Sequence, residues 1–157
     1  MSQSGQPWRE APASLFVATL GGVGFLPLAP GTWGTAAALP LVVAASWLPF
    51  PLRLLAWLAF FPLACLASDR AGRALGEHDS SHIVVDEAVG IWITLIWFDG
   101  IDLTLALTGF LLFRIADTVK DPASRWIDRH VTNGFGVVAD DVTAGLLAAL
   151  PLALLQT

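Results

Sequence analysis

Charge is scarce in this chain. Of 157 residues, 8 are Lys or Arg and 13 are Asp or Glu, a charged fraction of 13%, where soluble domains run near 25%. With 55% of residues apolar, the composition points to an integral or tightly associated membrane protein. A basic surface is lacking as well. The net charge of −5 excludes nucleic acid as a partner, because holding a phosphate backbone takes clustered Lys and Arg. One cysteine, Cys65, is present, so neither an intramolecular disulfide nor a cysteine-cluster metal site can form. Its neighbours are apolar and no cation is near it in sequence, which makes it a packing residue. Residues 1–13 read as a flexible tail, and the stretch after them lacks the basic flank and cleavage pattern of a signal peptide. Walker A and Cys-x5-Arg sequences are also missing, so neither a nucleotide loop nor a cysteinyl phosphate is supported.

What the chain does have is a set of short apolar runs separated by polar segments. A helix is expected over 14–20. Residues 21–35 follow with five glycines and two prolines, read as an irregular loop. The next run, 36–48, starts after Thr35, a good N-cap type, so this loop would deliver free backbone N–H groups to a helix N-terminus, a ready anion site. Further apolar runs cover 52–67, 88–98, 103–113 and 142–155, and Asp99-Gly100 marks a turn between two of them. The runs pair into helical hairpins, which leave and return on one side. The Gly-rich loop and the polar segments 68–87 and 114–141 therefore share one face. Those two segments hold 16 of the 21 charges and 6 of the 8 basic residues, which places that face in the cytoplasm by the positive-inside bias. Runs of 11–16 residues reach only about 16–24 Å, short of a hydrocarbon core of about 30 Å. The expected fold is thus all-α: a compact, membrane-associated domain over 14–157, built of short apolar hairpins with a polar catalytic face.

Two acidic pairs stand out on that face. Asp86-Glu87 precedes the run at Ala88, and Asp140-Asp141 precedes the run at Val142. Each pair alone is compatible with helix capping. Two pairs converging on one face favour a hard cation such as Mg²⁺, which prefers carboxylate oxygen and water. Arg114, Asp117 and Lys120, spaced i, i+3, i+6, line one face of a helix and can be read as a phosphate clamp or as a solvated ion-pair ladder. Asp128-Arg129 offers a second basic group, and His78-Asp79 a proton donor or further ligand. Trp92, Trp97 and Trp126 read as interfacial anchors. Basic groups beside clustered carboxylates on a lipid-embedded protein suggest phosphoryl chemistry on a lipid, with a metal-activated water and cations neutralising developing charge.

Three stretches together carry a resemblance. Pro30-Gly31-Thr32-Trp33-Gly34-Thr35 resembles the PGT-x-G-S/T loop of the phosphatidylglycerophosphatase A family. Residues 83–92, IVVDEAVGIW, resemble its IV-x-DE-x-x-G-x-W block. FRIADTVK at 113–120, Asp128-Arg129 and GFGVVADDVTAG at 134–145 resemble its FR-x-x-D-x-x-K…DR…G-x-G-x-x-x-DD-x-x-AG segment. The chain departs at Asp121-Pro122-Ala123-Ser124, where the family has a Pro-x-Pro-Ile pattern, and at Asn133, where a glycine is common.

The resemblance implies a Mg²⁺-dependent, all-helical phosphatase of the bacterial inner membrane, active face cytoplasmic, that converts phosphatidylglycerophosphate to phosphatidylglycerol. By position, Asp86, Glu87, Asp140 and Asp141 would form the acidic, metal-holding site, with Asp117 also catalytic. Gly31, Thr32, Arg114, Lys120, Asp128 and Arg129 would meet the phospholipid. The expected partners are that lipid and the membrane, with a homo-oligomer left open, as is an aspartyl-phosphate intermediate. The competing class is a non-catalytic membrane scaffold or ion pathway, which would bury acids as relays among helices. A phosphatidyltransferase would need an Asp-Gly-x2-Ala-Arg…Asp…Asp signature that is absent.

Overall fold

The computed structural model describes residues 11–119, 126 and 130–156. Among them are six α-helices and no strand: α1 Pro12–Ala18, α2 Pro30–Ala45, α3 Phe50–Leu75, α4 Val85–Leu95, α5 Leu103–Val119 and α6 Gly134–Leu155, with a 3-10 turn at Val23–Phe25. The all-α expectation holds. Of the supposed tail, residues 1–10 lie outside the described residues, while Pro12 and Ala13 already belong to α1.

Four of the six helices, α2, α3, α5 and α6, are longer than the apolar runs expected for them, and residues of the neighbouring loop and polar segments supply the extra length. Pro30, which looked like a breaker, and Pro51 sit in the first turns of α2 and α3, where a missing N–H costs nothing and the fixed φ suits the helix. Thus α2 starts at Pro30, not Ala36, and Thr35 is no cap: its Oγ1 donates to Gly31 O at 2.8 Å inside the helix. The polar end of α3 runs to Leu75 and stops at Gly76, whose φ of 75° provides a left-handed C-cap. At α6 the cap is Asn133, whose Oδ1 accepts from the N–H groups of Phe135 and Gly136 at 3.0 and 3.1 Å. The departure from glycine at this position therefore makes a cap. At 26 and 22 residues, α3 and α6 extend about 39 and 33 Å. Both are long and apolar enough to cross a membrane, which corrects the expectation of uniformly short segments.

The core is arranged around α4. This helix is buried on nearly every side, as an all-round apolar helix must be. Val85, Val89 and Ile93 pack with α1, α3 and the start of α6, whereas Ala88, Ile91 and Leu95 pack with α2, α5 and the rest of α6. Its contact with α6 is close because Gly90 and Gly145 leave no side chains between the backbones. A Cβ on Gly145 would lie 2.4 Å from Gly90 O. Thr94 Oγ1 bridges the pair, 2.8 Å from Gly90 O and 3.2 Å from Gly145 O, the small-residue contact favoured between apolar helices. At the opposite end from the polar segments the hairpin tips are tied together. Buried Arg53 donates to Phe98 O and pairs with Asp99, and Ser46 Oγ accepts from Ile101 N–H at 3.0 Å. Asp102 Oδ1 accepts from Leu105 N–H at 2.8 Å and starts α5.

Candidate active site

The first turn of α4 carries Asp86 and Glu87, so these acids lie within the helix rather than ahead of it. The correction is larger for the second pair. Asp140 and Asp141 stand well inside α6, which begins at Gly134, and capping cannot account for them. Both are buried, Asp140 at 9% and Asp141 at 5% exposure, beside Asp86 at 8%. Mid-helix carboxylates taken out of water are costly unless something compensates them.

The α4–α6 contact brings the two pairs together. One carboxylate oxygen each from Asp86, Glu87 and Asp141 lies within 4.8 Å of the others. Glu87 Oε2 and Asp141 Oδ2 are buried and accept no hydrogen bond among the described residues. Asp86 Oδ1 accepts from Glu87 N–H at 3.1 Å. Arg114, on α5, closes the far side. Its Nη1 is 2.9 Å from Asp117 Oδ2 and 3.7 Å from Glu87 Oε1. Burial, aided by the neighbouring Glu87 charge, pushes the Asp86 carboxyl well above its usual range. Burial also raises Glu87 to about 7, with Asp141 adding to the rise and Arg114 opposing it. Carboxylates forced close in a dry site resist ionising together, and a cation is the natural remedy.

These groups line a cleft of about 320 Å³. Asp79, Asp86, Glu87, Asp117, Asp140 and Asp141 face it, against the single guanidinium of Arg114 among the described residues. Among the described residues acids outnumber bases around the cleft, so a bound cation would favour phosphate binding here. Two orphaned buried carboxylate oxygens and an all-oxygen donor set fit a hard divalent ion.

The structure brings most of the expected residues into one place. Gly31, Asp86, Glu87, Arg114, Asp117, Asp140 and Asp141 line the cleft, as do His78 and Asp79. Lys120, Asp128 and Arg129 lie outside the described residues. Thr32 does not line the cleft, and its N–H donates to Ala29 O at 3.0 Å. With no N–H on Pro30 and those of Thr32 and Trp33 both donated to Ala29 O, the expected row of free donors at this helix start is cut short. The role of Gly31 is chiefly steric: a Cβ there would fall 1.9 Å from Glu87 Oε1 and 3.2 Å from Arg114 Nη1. Leu28 and Ala29, with φ of 61° and 52°, turn the chain into this position through a left-handed stretch costing about 1–2 kcal/mol per residue. Sequence reasoning missed Ser80 and Ser81, which also line the cleft and which no motif sets apart from other polar-loop serines. It also misjudged Trp92, which turns inward onto Phe60, ring centroids 5.8 Å apart.

Fold and cleft together define a class: an all-helical protein with an apolar exterior and a buried acid cluster of the kind that holds a hard cation. Comparison with known proteins narrows it. Residues 16–156 match the family model described as phosphatidylglycerophosphatase A. The protein of that name from Escherichia coli is 36% identical over 128 residues, 82% of this chain and 74% of its own length. Its namesake from Haemophilus influenzae is 35% identical over 136 residues, 86% of this chain and 83% of its own. A Bacteroides thetaiotaomicron protein provisionally named phosphatidylinositol-3-phosphatase is 36% identical over 140 residues, 84% of this chain and 86% of its own. No solved structure matches the chain with significance. The chain belongs to the phosphatidylglycerophosphatase A family.

Proposed function

We propose that this protein hydrolyses the terminal phosphomonoester of phosphatidylglycerophosphate, releasing phosphatidylglycerol and inorganic phosphate, at the cytoplasmic face of the bacterial inner membrane. The observation that carries the reading is the convergence of Asp86, Glu87 and Asp141 within 4.8 Å, with unpartnered buried oxygens on Glu87 and Asp141, beside Arg114. Family membership supports the phosphatase class and the phospholipid substrate.

Asp86, Glu87 and Asp141 would hold a divalent cation, Mg²⁺ in our reading, with Asp140 supporting them from the same turn of α6. Bound there, the ion would supply Lewis-acid polarisation of the phosphoryl group and an acidified water. Arg114 lies at the cleft wall and would neutralise a phosphoryl oxygen as charge develops on it, while Asp117 fixes the guanidinium by its 2.9 Å contact. Gly31 keeps the entrance beside Glu87 free of side-chain atoms. Lys120, Asp128 and Arg129 are proposed to add positive charge around the head group. Single-domain organisation over 14–157 and cytoplasmic placement of the cleft belong to the same proposal.

The test is phosphate release by the purified protein in detergent, comparing phosphatidylglycerophosphate with phosphatidylinositol 3-phosphate at matched surface concentration. A clear preference for the first in kcat/KM is expected. Preference for the inositol lipid would reassign the substrate within the same chemistry, and release from neither by a folded sample would remove the catalytic reading.

A further inference from the structure

A second cavity, apolar and about 650 Å³, opens between α1 and α2 with α3 and α4 behind it. Its size and lining are those of a small-molecule site, and no charged residue lines it: Phe16, Leu20, Ala37, Leu41, Phe60 and Trp92 are half of its wall. We infer that this groove seats an acyl chain of the lipid whose phosphate enters the acid cleft. The inference rests on the lipid-phosphatase reading above.

Three observations place the groove on the substrate's path. The first is shared structure. Glu87 lines the acid cleft and the next residue, Ala88, lines the groove, with Trp92 one turn further along α4. Only a single stretch of helix separates the two spaces.

The second is register along α2. Gly31 abuts Glu87, while Ala38 and Val42 line the groove. At about 100° per residue, positions seven and eleven further on return to within about 20° of the Gly31 direction. One face of α2 therefore begins at the cleft and continues as the groove, about 10–16 Å deeper along the axis. A phospholipid has the same layout, with a charged head and chains that begin a few ångströms below it.

The third is the rim. Phe16 and Leu41 stand 61% and 74% exposed, beside α3, one of the two membrane-length helices. The groove thus opens laterally into the apolar belt and not into water. A lipid can enter sideways with its tails still in hydrocarbon, while its phosphate stays at the level of the carboxylates.

Ala37 allows a test that leaves the core intact, because its Cβ faces the groove from an exposed position. Ala37→Trp should fill the groove. The measurement is kcat/KM for dioleoyl phosphatidylglycerophosphate and for its dihexanoyl counterpart, with Leu107→Trp, exposed on α5, as a bulk control. Ala37→Trp should lower kcat/KM for the long-chain lipid about tenfold or more and change the short-chain value by less than threefold. Leu107→Trp should leave both unchanged. An Ala37→Trp protein with wild-type kinetics on the long-chain lipid would overturn the groove while sparing the phosphatase reading.

A binding readout covers the converse failure. Dioleoyl phosphatidylglycerophosphate carrying a mid-chain diazirine should label α1 and α2 peptides around Phe16 and Leu41, and Ala37→Trp should suppress that labelling. Labelling of α5 and α6 peptides instead would overturn the proposal. If wild type releases no phosphate from any of these lipids, the catalytic reading fails, and the labelling pattern still decides the groove.

Discussion

Glu87 sits at the centre of the electrostatics, and its ionisation makes a pH-dependent prediction. The folded chain holds the Glu87 proton up to about pH 7, against an ordinary value of 4.5. Across that interval the folded state binds more protons than the unfolded one, so stability falls as pH rises from about 4.5 to 7. The proposed divalent cation would take the place of that proton. Its stabilising effect should therefore be larger at pH 8 than at pH 5. Thermal unfolding in detergent at both pH values, with and without Mg²⁺, measures the difference. Equal stabilisation at the two would remove Glu87 from the ion's ligands. Gly31 offers a steric counterpart. Gly31→Ala improves helix propensity by up to about 1 kcal/mol, yet its methyl group would meet the Glu87 carboxylate. The expected result is an unchanged or raised melting temperature with turnover reduced about tenfold to a hundredfold, since ångström-scale displacement of a reacting group costs that much. A fall in stability and activity together would make Gly31 a packing residue only.

At the scale of elements, α4 shows what local sequence could and could not convey. The carboxylates of the site were legible because a polar cluster in so apolar a chain demands a reason. Their setting was not. Asp140-Asp141 next to an apolar run looks like a helix start, because a buried mid-helix acid pair is costly on local grounds and only the tertiary fold brings Asp141 beside Asp86 and Glu87. Pro30 and Gly31 were read as loop for a similar reason, since the same residues break a helix interior and open a helix start. The tie between hairpin tips was invisible. Arg53 and Asp99 are 46 positions apart, and nothing near either residue announces the other. That tie yields its own prediction. Arg53→Ala removes the donor to Phe98 O and should destabilise the protein by about 1–3 kcal/mol, read as a lowered melting temperature. Phosphate release per folded molecule should not change, because the tips lie at the opposite end from the cleft.

For the whole molecule, the decisive feature is polarity from end to end: acids and Arg114 at one end, apolar helices between, and the Arg53–Asp99 tie at the other. On the proposed orientation, which follows the positive-inside bias of the polar segments, the cleft would lie in the cytoplasm and the tips outside. In a Cys65→Ala background, Glu77→Cys should react with an impermeant thiol reagent only after the cells are opened, whereas Leu103→Cys, exposed next to the tips, should react in intact cells. The reverse pattern would invert the orientation and place the acids on the wrong side for a cytoplasmic phosphatase. The short-span expectation failed because helix length was counted from apolar residues alone. The polar end of α3 and the acid-bearing start of α6 lengthen helices whose remainder is apolar, and α6, long and apolar enough to cross a membrane, also carries Asp140 and Asp141 into the cleft.

The central claim is that the Asp86, Glu87 and Asp141 cluster holds a divalent cation on which phosphate release depends. Phosphate release from phosphatidylglycerophosphate, in excess chelator and then after Mg²⁺ is restored, tests it most directly when run on wild type and Asp141→Asn in parallel. The account predicts that wild-type release stops with chelator and returns with Mg²⁺. It predicts that Asp141→Asn, still folded, releases phosphate at least about a hundredfold more slowly, at or beyond the upper end of what losing a ligand's supporting partner costs. Release that continues in chelator, or an Asp141→Asn protein as fast as wild type, would contradict it.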